Sequence, residues 1–436
     1  MIFSYLNKKR NLCIISIIVT LMFVFATSPI YSFAKIFSCR ASVNIERWYD
    51  ASFNPDTSVF TNFLYSVYFV EFSKKDNCSA VEMSKTASAN VAHIVSSKKA
   101  NIILVIGESF NKHHSSLYQY KKITNPFLTK EKRKGNLFVF SNVIAPYNLT
   151  SLVLKNVFST NSIMNNQQWF SKPVFPVIFK RAGYKVYFWD NQKSDAKADV
   201  FDFSLNSFLY NDEISKISYD YMNKHKFLYD DELITDFVKF GFPSNTNNLL
   251  IFHLLGQHSI AADRYPHKKE FCLFNVDSVH QASLNINEKK YVCHYDNATI
   301  YNDYVIKHII DIFRNTNSVI VYFSDHGEEV YDYRHIFGRT HELKKNRNIM
   351  KYQYEIPFVI WCSNKYKAQN KDIIGMIEKS LNKPYMTDNV SHLLFILGHI
   401  HTQYYNSQCD LLSPQYKCKK RIVQDHYDYD KIISSK

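Results

Sequence analysis

The stretch Asn101–Tyr120, NIILVIGESFNKHHSSLYQY, decides the fold. Ile102 to Ile106 form an unbroken apolar run, mostly β-branched, that stops at Gly107. Such a run reads as a strand buried on both faces. Glu108 follows at the strand's carboxyl end, which in an open α/β sheet is the edge where ligands bind. On this stretch alone Glu108 serves equally well as a helix cap or as a ligand. A second strand, Ser318–Phe323 (SVIVYF), is followed at once by Ser324, Asp325, His326, Gly327 and Glu328. Asp325 and His326 therefore take the same topological position as Glu108. Two carboxylates and an imidazole at strand ends suit Zn2+ or Mn2+.

Further apolar, β-rich segments lie at Leu137–Ile144, Tyr184–Asp190, Leu249–Gly256 and Ile356–Trp361. Segments with helical character, such as Val174–Arg181 and Ala298–Arg314, fall between them. This alternation predicts an α/β fold with a mainly parallel central sheet and helices on both faces. No internal repeat is evident.

The N-terminus carries Lys8, Lys9 and Arg10, and Leu12–Ala34 then runs without a charge. That length spans a bilayer as a helix, and the basic flank holds the N-terminus in the cytoplasm. A cleaved signal peptide ending near Ser32-Phe33-Ala34 is the competing reading; either way the remainder is exported. The expected organisation is a membrane anchor over 1–36, an interfacial segment and connector over 37–99, and a periplasmic catalytic domain over 100–436. Within the middle part, Thr57–Phe72 is aromatic-rich and too short to span. It suits the membrane interface or a buried helix, and Ser73–Lys99 reads as a connector.

The formal net charge of +14 favours anionic lipid and lipopolysaccharide phosphates as neighbours. Nucleic acid is not an expected partner of an exported chain. Eight cysteines fit an oxidising compartment, with Cys409–Cys418 and Cys272–Cys293 as candidate disulfides. No CxxC spacing marks a structural zinc site.

The motifs VIGES, HxSLYxY (His114 to Tyr120) and SDHGEE (324–329) resemble those of the lipid-dependent phosphoethanolamine transferases of Gram-negative envelopes, members of the alkaline phosphatase and sulfatase superfamily. RAGYKVYFWDNQ (181–192), HLLGQHS (253–259), RYP (264–266), YDN (295–297), YEIPFVIW (354–361) and TDNVSH (387–392) extend the resemblance over about Asn101 to Ile400. The family usually has several membrane helices before its catalytic domain, whereas this chain shows one convincing span.

The resemblance implies a zinc site made by Glu108, Thr150, Asp325 and His326, with Mn2+ as the other cation of suitable chemistry. Thr150 is the implied nucleophile, standing at the family's distance before Phe158-Ser159 and between a strand and an apolar, helix-like segment. The family's small residues and Pro-Cys are missing here, so Ser151 is the fallback. A plain N-cap is the ordinary role of such a Thr. His258 matches a phosphate-contacting histidine by its place in GQHS. The second such histidine falls to His335 or His341, with His335 in YRHIFGR preferred. His253 and His114 read as structural, His114 tying down the loop after Glu108.

The implied reaction moves phosphoethanolamine from phosphatidylethanolamine through phospho-Thr150 to lipid A, core sugar or another envelope acceptor. Three rivals stand beside it. A sulfatase shares the fold, but the CxPxR-type sequence that generates formylglycine is absent. A glycerophosphate transferase shares the Thr and the ligand set. An inactive envelope scaffold would be expected to have lost at least one ligand.

Overall fold

The computed structural model describes residues 59–87, 91–192, 208–243, 245–340, 346–417 and 420–435, together with the single positions 16 and 34. The expected membrane segment Leu12–Ala34 therefore lies, those two positions apart, outside the described residues. Among the described residues no helix is long and apolar enough to cross a membrane. The chain divides into two compact units, Met1–Asp76 and Asn77–Lys436.

One helix runs from Val59 to Thr86, a stretch that contains neither Gly nor Pro. It continues through the first part of the expected connector, so that segment is not irregular. Ala80, Val81, Ser84 and Ala87 are buried, and the Ser84 hydroxyl accepts the Val174 N–H. Ala92–Ile94 then pairs antiparallel with Ile400–Thr402. The second unit thus begins well before residue 100, where the sequence placed its boundary.

The second unit is built on a seven-stranded sheet. Numbered along the chain, its strands are β1 (Asn101–Gly107), β2 (Leu137–Val139), β3 (Lys185–Asp190), β4 (Tyr221–Met222), β5 (Asn248–His253), β6 (Ser318–Ser324) and β7 (Phe358–Cys362). Their spatial order is 2-7-6-1-5-3-4. β6, β1, β5, β3 and β4 are parallel neighbours, while β7 runs antiparallel to both β6 and β2. The sheet is therefore mixed, with one reversed strand in a mainly parallel set. The reversal follows from connectivity. The chain leaves β6 at the carboxyl edge and makes the short helix Arg347–Tyr354, so β7 enters from the same edge and runs back.

Two sequence boundaries shift. Leu137–Ile144 is not one strand, because Val143–Ile144 leaves the main sheet to pair with Tyr385–Met386. The helix expected over Ala298–Arg314 begins earlier, at Ile286, where Asn285 and Glu288 form a capping box.

Every residue of β1 and β6 is buried. Their register pairs Gly107 with Ser324, and on the other side of β1 Ile106 pairs with His253. Three neighbouring strands thus finish nearly level, which brings Glu108 beside Asp325 and His326.

The loop after Glu108 is tied down through His114. Its Nδ1 lies 2.8 Å from Asp296 Oδ1 and its Nε2 3.2 Å from Asp332 Oδ1, and Asp296 also accepts from Tyr120 and Lys122. Burial pulls the imidazole pKa down, but Asp332 and Asp296 outweigh it and raise it to about 10. The folded value exceeds the unfolded one, so this stabilisation is complete below about pH 6.5 and is lost as pH rises toward about 10. His114→Gln should lower the melting temperature more at pH 6 than at pH 10, as read by thermal melts across that range. An equal loss at both values would contradict the charged bridge.

Candidate active site

Glu108, Asp325 and His326 are each fully buried, and a ligand atom from each lies within 4.8 Å of the others. Backbone geometry fixes Glu108. Ser109 turns the chain at φ 54°, its N–H donates to Asp325 Oδ1 at 3.0 Å, and the Phe110 N–H donates to Ser324 Oγ at 2.8 Å. From β5's side the Gln257 N–H donates to the Glu108 carbonyl at 3.0 Å. Gly256 makes that approach possible. It sits at φ +51°, and a Cβ there would stand 2.7 Å from Glu108 N. Gly327 is similarly constrained, since a Cβ would meet Tyr352 O at 2.3 Å.

Each side chain carries a lone pair toward the same point. His326 Nδ1 lies 2.9 Å from the Gly327 carbonyl, which places its proton there and leaves Nε2 unprotonated. Asp325 Oδ1 accepts the Ser109 and His326 N–H groups, whereas Oδ2 is buried with no hydrogen-bond partner, 3.0 Å from His326 Nε2. Glu108 Oε1 stands 3.3 Å from the same nitrogen. Asp325 Oδ2, with no donor of its own, and Glu108 Oε1 thus face the same imidazole nitrogen, an arrangement that can hold a cation. Two oxygens and a nitrogen suit Zn2+.

Thr150 is the first residue of the helix Thr150–Phe158. Its Oγ lies 3.1 Å from Glu108 Oε2 and 3.3 Å from His326 Nε2, so the hydroxyl stands beside the three clustered side chains. Ser151, next along the helix, is buried.

Burial pushes the Glu108 carboxyl up, but His326, His258 and Arg339 outweigh it and hold it well below the usual carboxylate range. Asp325 goes the other way, raised by burial and by the charge on Glu108. His326 is lowered to about 4 by burial and Arg339.

His258 is near enough for its charge to bear on Glu108, and burial lowers its pKa. His335 stands apart. Its side chain is 64% exposed and its Nδ1 lies 2.9 Å from Glu288 Oε1. The reason is local: Glu288 caps the helix beginning at Ile286 and draws the imidazole outward. His341 lies outside the described residues. His253 is buried at the end of β5 with Nδ1 3.0 Å from Asp190 Oδ1, consistent with a supporting role.

Sequence reasoning passed over three neighbours. Arg339 brings Nη1 to 2.6 Å from His326 Nε2 and 3.0 Å from the Asn148 carbonyl. Gln192 donates to Glu108 Oε2 at 3.1 Å and to the Leu254 carbonyl at 2.7 Å. Ser109 donates to Glu108 Oε1 at 2.8 Å. Gln192 was signalled by its place just past β3 at the same sheet edge, whereas nothing marks Arg339 along the chain.

Of the candidate disulfides, Cys272 and Cys293 are free thiols. Cys293 is buried among Val279, Leu284 and Tyr295, while Cys272 is exposed beside Tyr265. Cys418 lies outside the described residues, so its pairing with Cys409 does not come into view.

The sequence model of the sulfatase family matches residues 100–394. The phosphoethanolamine transferase EptC of Escherichia coli K12 is 29% identical over 341 residues, covering 76% of this chain and 56% of that protein. The phosphoethanolamine transferase EptA of Helicobacter pylori is 29% identical over 291 residues, covering 62% and 49%. The crystal structure of the C-terminal periplasmic domain of E. coli EptC in complex with Zn superposes with a TM-score of 0.65 at 27% identity, covering 78% of this chain and 95% of that one. The chain spans about half the length of the curated relatives it matches.

Gly256→Ala tests the backbone support of Glu108. The left-handed conformation alone costs an Ala roughly 1–2 kcal/mol, and the added methyl also collides with Glu108. Urea denaturation should show at least that loss, whereas an unchanged midpoint would contradict the close approach.

Proposed function

This chain belongs to the sulfatase family, and we propose that it is a metal-dependent phosphoethanolamine transferase of the Gram-negative envelope. On this reading it takes phosphoethanolamine from phosphatidylethanolamine and passes it to lipid A, core sugar or another envelope acceptor. The observation that carries the proposal is Thr150 Oγ at a helix start, 3.1 Å from Glu108 Oε2 and 3.3 Å from His326 Nε2, beside the donorless Asp325 Oδ2. The likeness to named phosphoethanolamine transferases, and to one solved with Zn, supports the substrate class and the metal.

Glu108, Thr150, Asp325 and His326 would hold the zinc; Mn2+ fits the same donors less well because of the imidazole. Bound there, the cation would supply Lewis acidity and lower the pKa of the Thr150 hydroxyl. The remaining work falls to side chains. Thr150 Oγ gives up its proton as it attacks phosphorus, the bond from phosphorus to the diacylglycerol oxygen breaks with its electron pair on oxygen, and that oxygen leaves with an equivalent proton, so that none is gained or lost. Backbone N–H groups at the start of the Thr150–Phe158 helix face the phosphoryl oxygens. Arg339 contributes charge, and His258 a hydrogen bond, to the same oxygens. Lowered by burial, His258 is neutral near pH 7 and can take the acceptor's proton in the second half-reaction.

His335, drawn outward by Glu288, is a weaker candidate for direct phosphate contact than Arg339. The basic character of the chain and its apolar Leu12–Ala34 segment support an inner-membrane anchor, with the catalytic unit periplasmic and near its lipid donor.

The test is transfer from phosphatidylethanolamine labelled in the ethanolamine, with the product headgroup analysed and metal content measured. Label should reach a lipopolysaccharide acceptor, and the protein should carry about one zinc per chain, consistent with a four-ligand site. Asp325→Ala should lose both. Transfer of glycerophosphate in place of phosphoethanolamine would move the assignment to the neighbouring activity, and a folded, metal-free protein without transfer would overturn the enzyme reading.

A further inference from the structure

The short antiparallel pair Ala92–Ile94 and Ile400–Thr402 carries ligand-type side chains that the active site does not use. Its register sets Ala92 against Thr402, His93 against His401 and Ile94 against Ile400. Successive strand residues face opposite ways. Ala92, Ile400 and Thr402 therefore turn inward, where they are buried, and the two histidines share the outer face, where both are exposed. Residues directly opposite on antiparallel strands hold their Cβ atoms about 4.5–5.5 Å apart. The imidazole centroids accordingly lie 4.9 Å apart, with the ring planes tilted by 37°. Neither ring is engaged by a hydrogen bond or ion pair with another described residue. His399, two residues earlier, is committed elsewhere, its Nε2–H donating to Asn370 Oδ1 at 2.6 Å.

That spacing is the spacing of two imidazoles on one cation. With metal–nitrogen bonds of about 2.0–2.1 Å, and each ring centre roughly 1.2 Å beyond its nitrogen, the centres stand about 4.6 Å apart at a right angle and about 5.3 Å apart at the tetrahedral angle. The observed 4.9 Å falls between the two. We propose that His93 and His401 form a second metal site, a two-imidazole seat for a divalent transition cation, Cu2+ ahead of Zn2+, with water in the remaining positions. Imidazole favours these ions over Mg2+ and Ca2+, which take oxygen donors. The ion staples Ala92–Ile94, a strand of three residues, to Ile400–Thr402, and so ties the beginning of the second unit to its C-terminal part. The site is independent of the proposed transfer reaction.

The test compares the full chain in detergent with His93→Ala and His401→Ala, each equilibrated with Zn2+, freed of the excess and then titrated with Cu2+. Visible absorption and electron paramagnetic resonance follow the uptake. The unsubstituted chain should take up one more Cu2+ than either variant, with hyperfine splitting from two imidazole nitrogens. Each substitution should weaken that uptake at least about tenfold, a shift of ~1.4 kcal/mol. Thermal melts give a second reading, because an ion that binds only the folded state stabilises it. Cu2+ should raise the melting temperature of the unsubstituted chain above that of the variants, and Mg2+ should not. Equal uptake and equal melting shifts in all three proteins would overturn the proposal and leave the pair as a ring contact. So would loss of uptake on one substitution but not the other, which would mark a lone histidine ligand. Transfer from phosphatidylethanolamine should be the same in all three proteins, so its absence from all of them would remove the proposed activity and leave this site standing.

Discussion

The structure depends on the in-register parallel pairing of Asn101–Gly107 with Ser318–Ser324. With Gly107 level with Ser324, Glu108 and Asp325 must leave the sheet side by side, fully buried. Burying two adjoining carboxyls is costly unless a cation or a donor answers each oxygen. The fold answers some of them: Ser109 and Gln192 donate to Glu108, and backbone N–H groups donate to Asp325 Oδ1. It leaves Asp325 Oδ2, 3.0 Å from His326 Nε2, without a donor. Beside it, the Thr150 hydroxyl at the head of its helix donates to Glu108 Oε2.

The support around the pair is redundant. Gly256 allows the loop after β5 to touch the Glu108 backbone, and Gly327 lets the chain after His326 pass against Tyr352. His114 clamps the loop after Glu108 to Asp296 and Asp332. Each contact joins segments far apart in sequence, so the cradle is a product of the tertiary fold.

Much of this was legible from residue patterns. The continuous apolar runs Ile102–Ile106 and Ser318–Phe323 marked central strands because no polar residue interrupts them, and the ligands stand next to those runs. Thr150, too, lies where a strand-to-helix change is visible. What stayed hidden is what depends on long-range partners. Val143–Ile144 continues an apolar run but pairs elsewhere, because Tyr385–Met386 is there to receive it. His335 resembles a site histidine in spacing, yet Glu288, 47 residues away, draws it out. Arg339 enters only because the loop after β6 folds back over His326. The polar stretch after Ser73 reads as a connector by composition, while its lack of Gly and Pro lets it continue as helix.

The central claim is that Thr150 carries the transferred group. Mass spectrometry of the full-length protein, quenched after mixing with phosphatidylethanolamine in the absence of acceptor, measures this directly. A phosphoethanolamine adduct should localise to the peptide containing Thr150 and be missing from Thr150→Ala. An adduct on Ser151 or any other residue, or zinc-loaded protein that transfers phosphoethanolamine with Thr150 replaced by Ala, would contradict it.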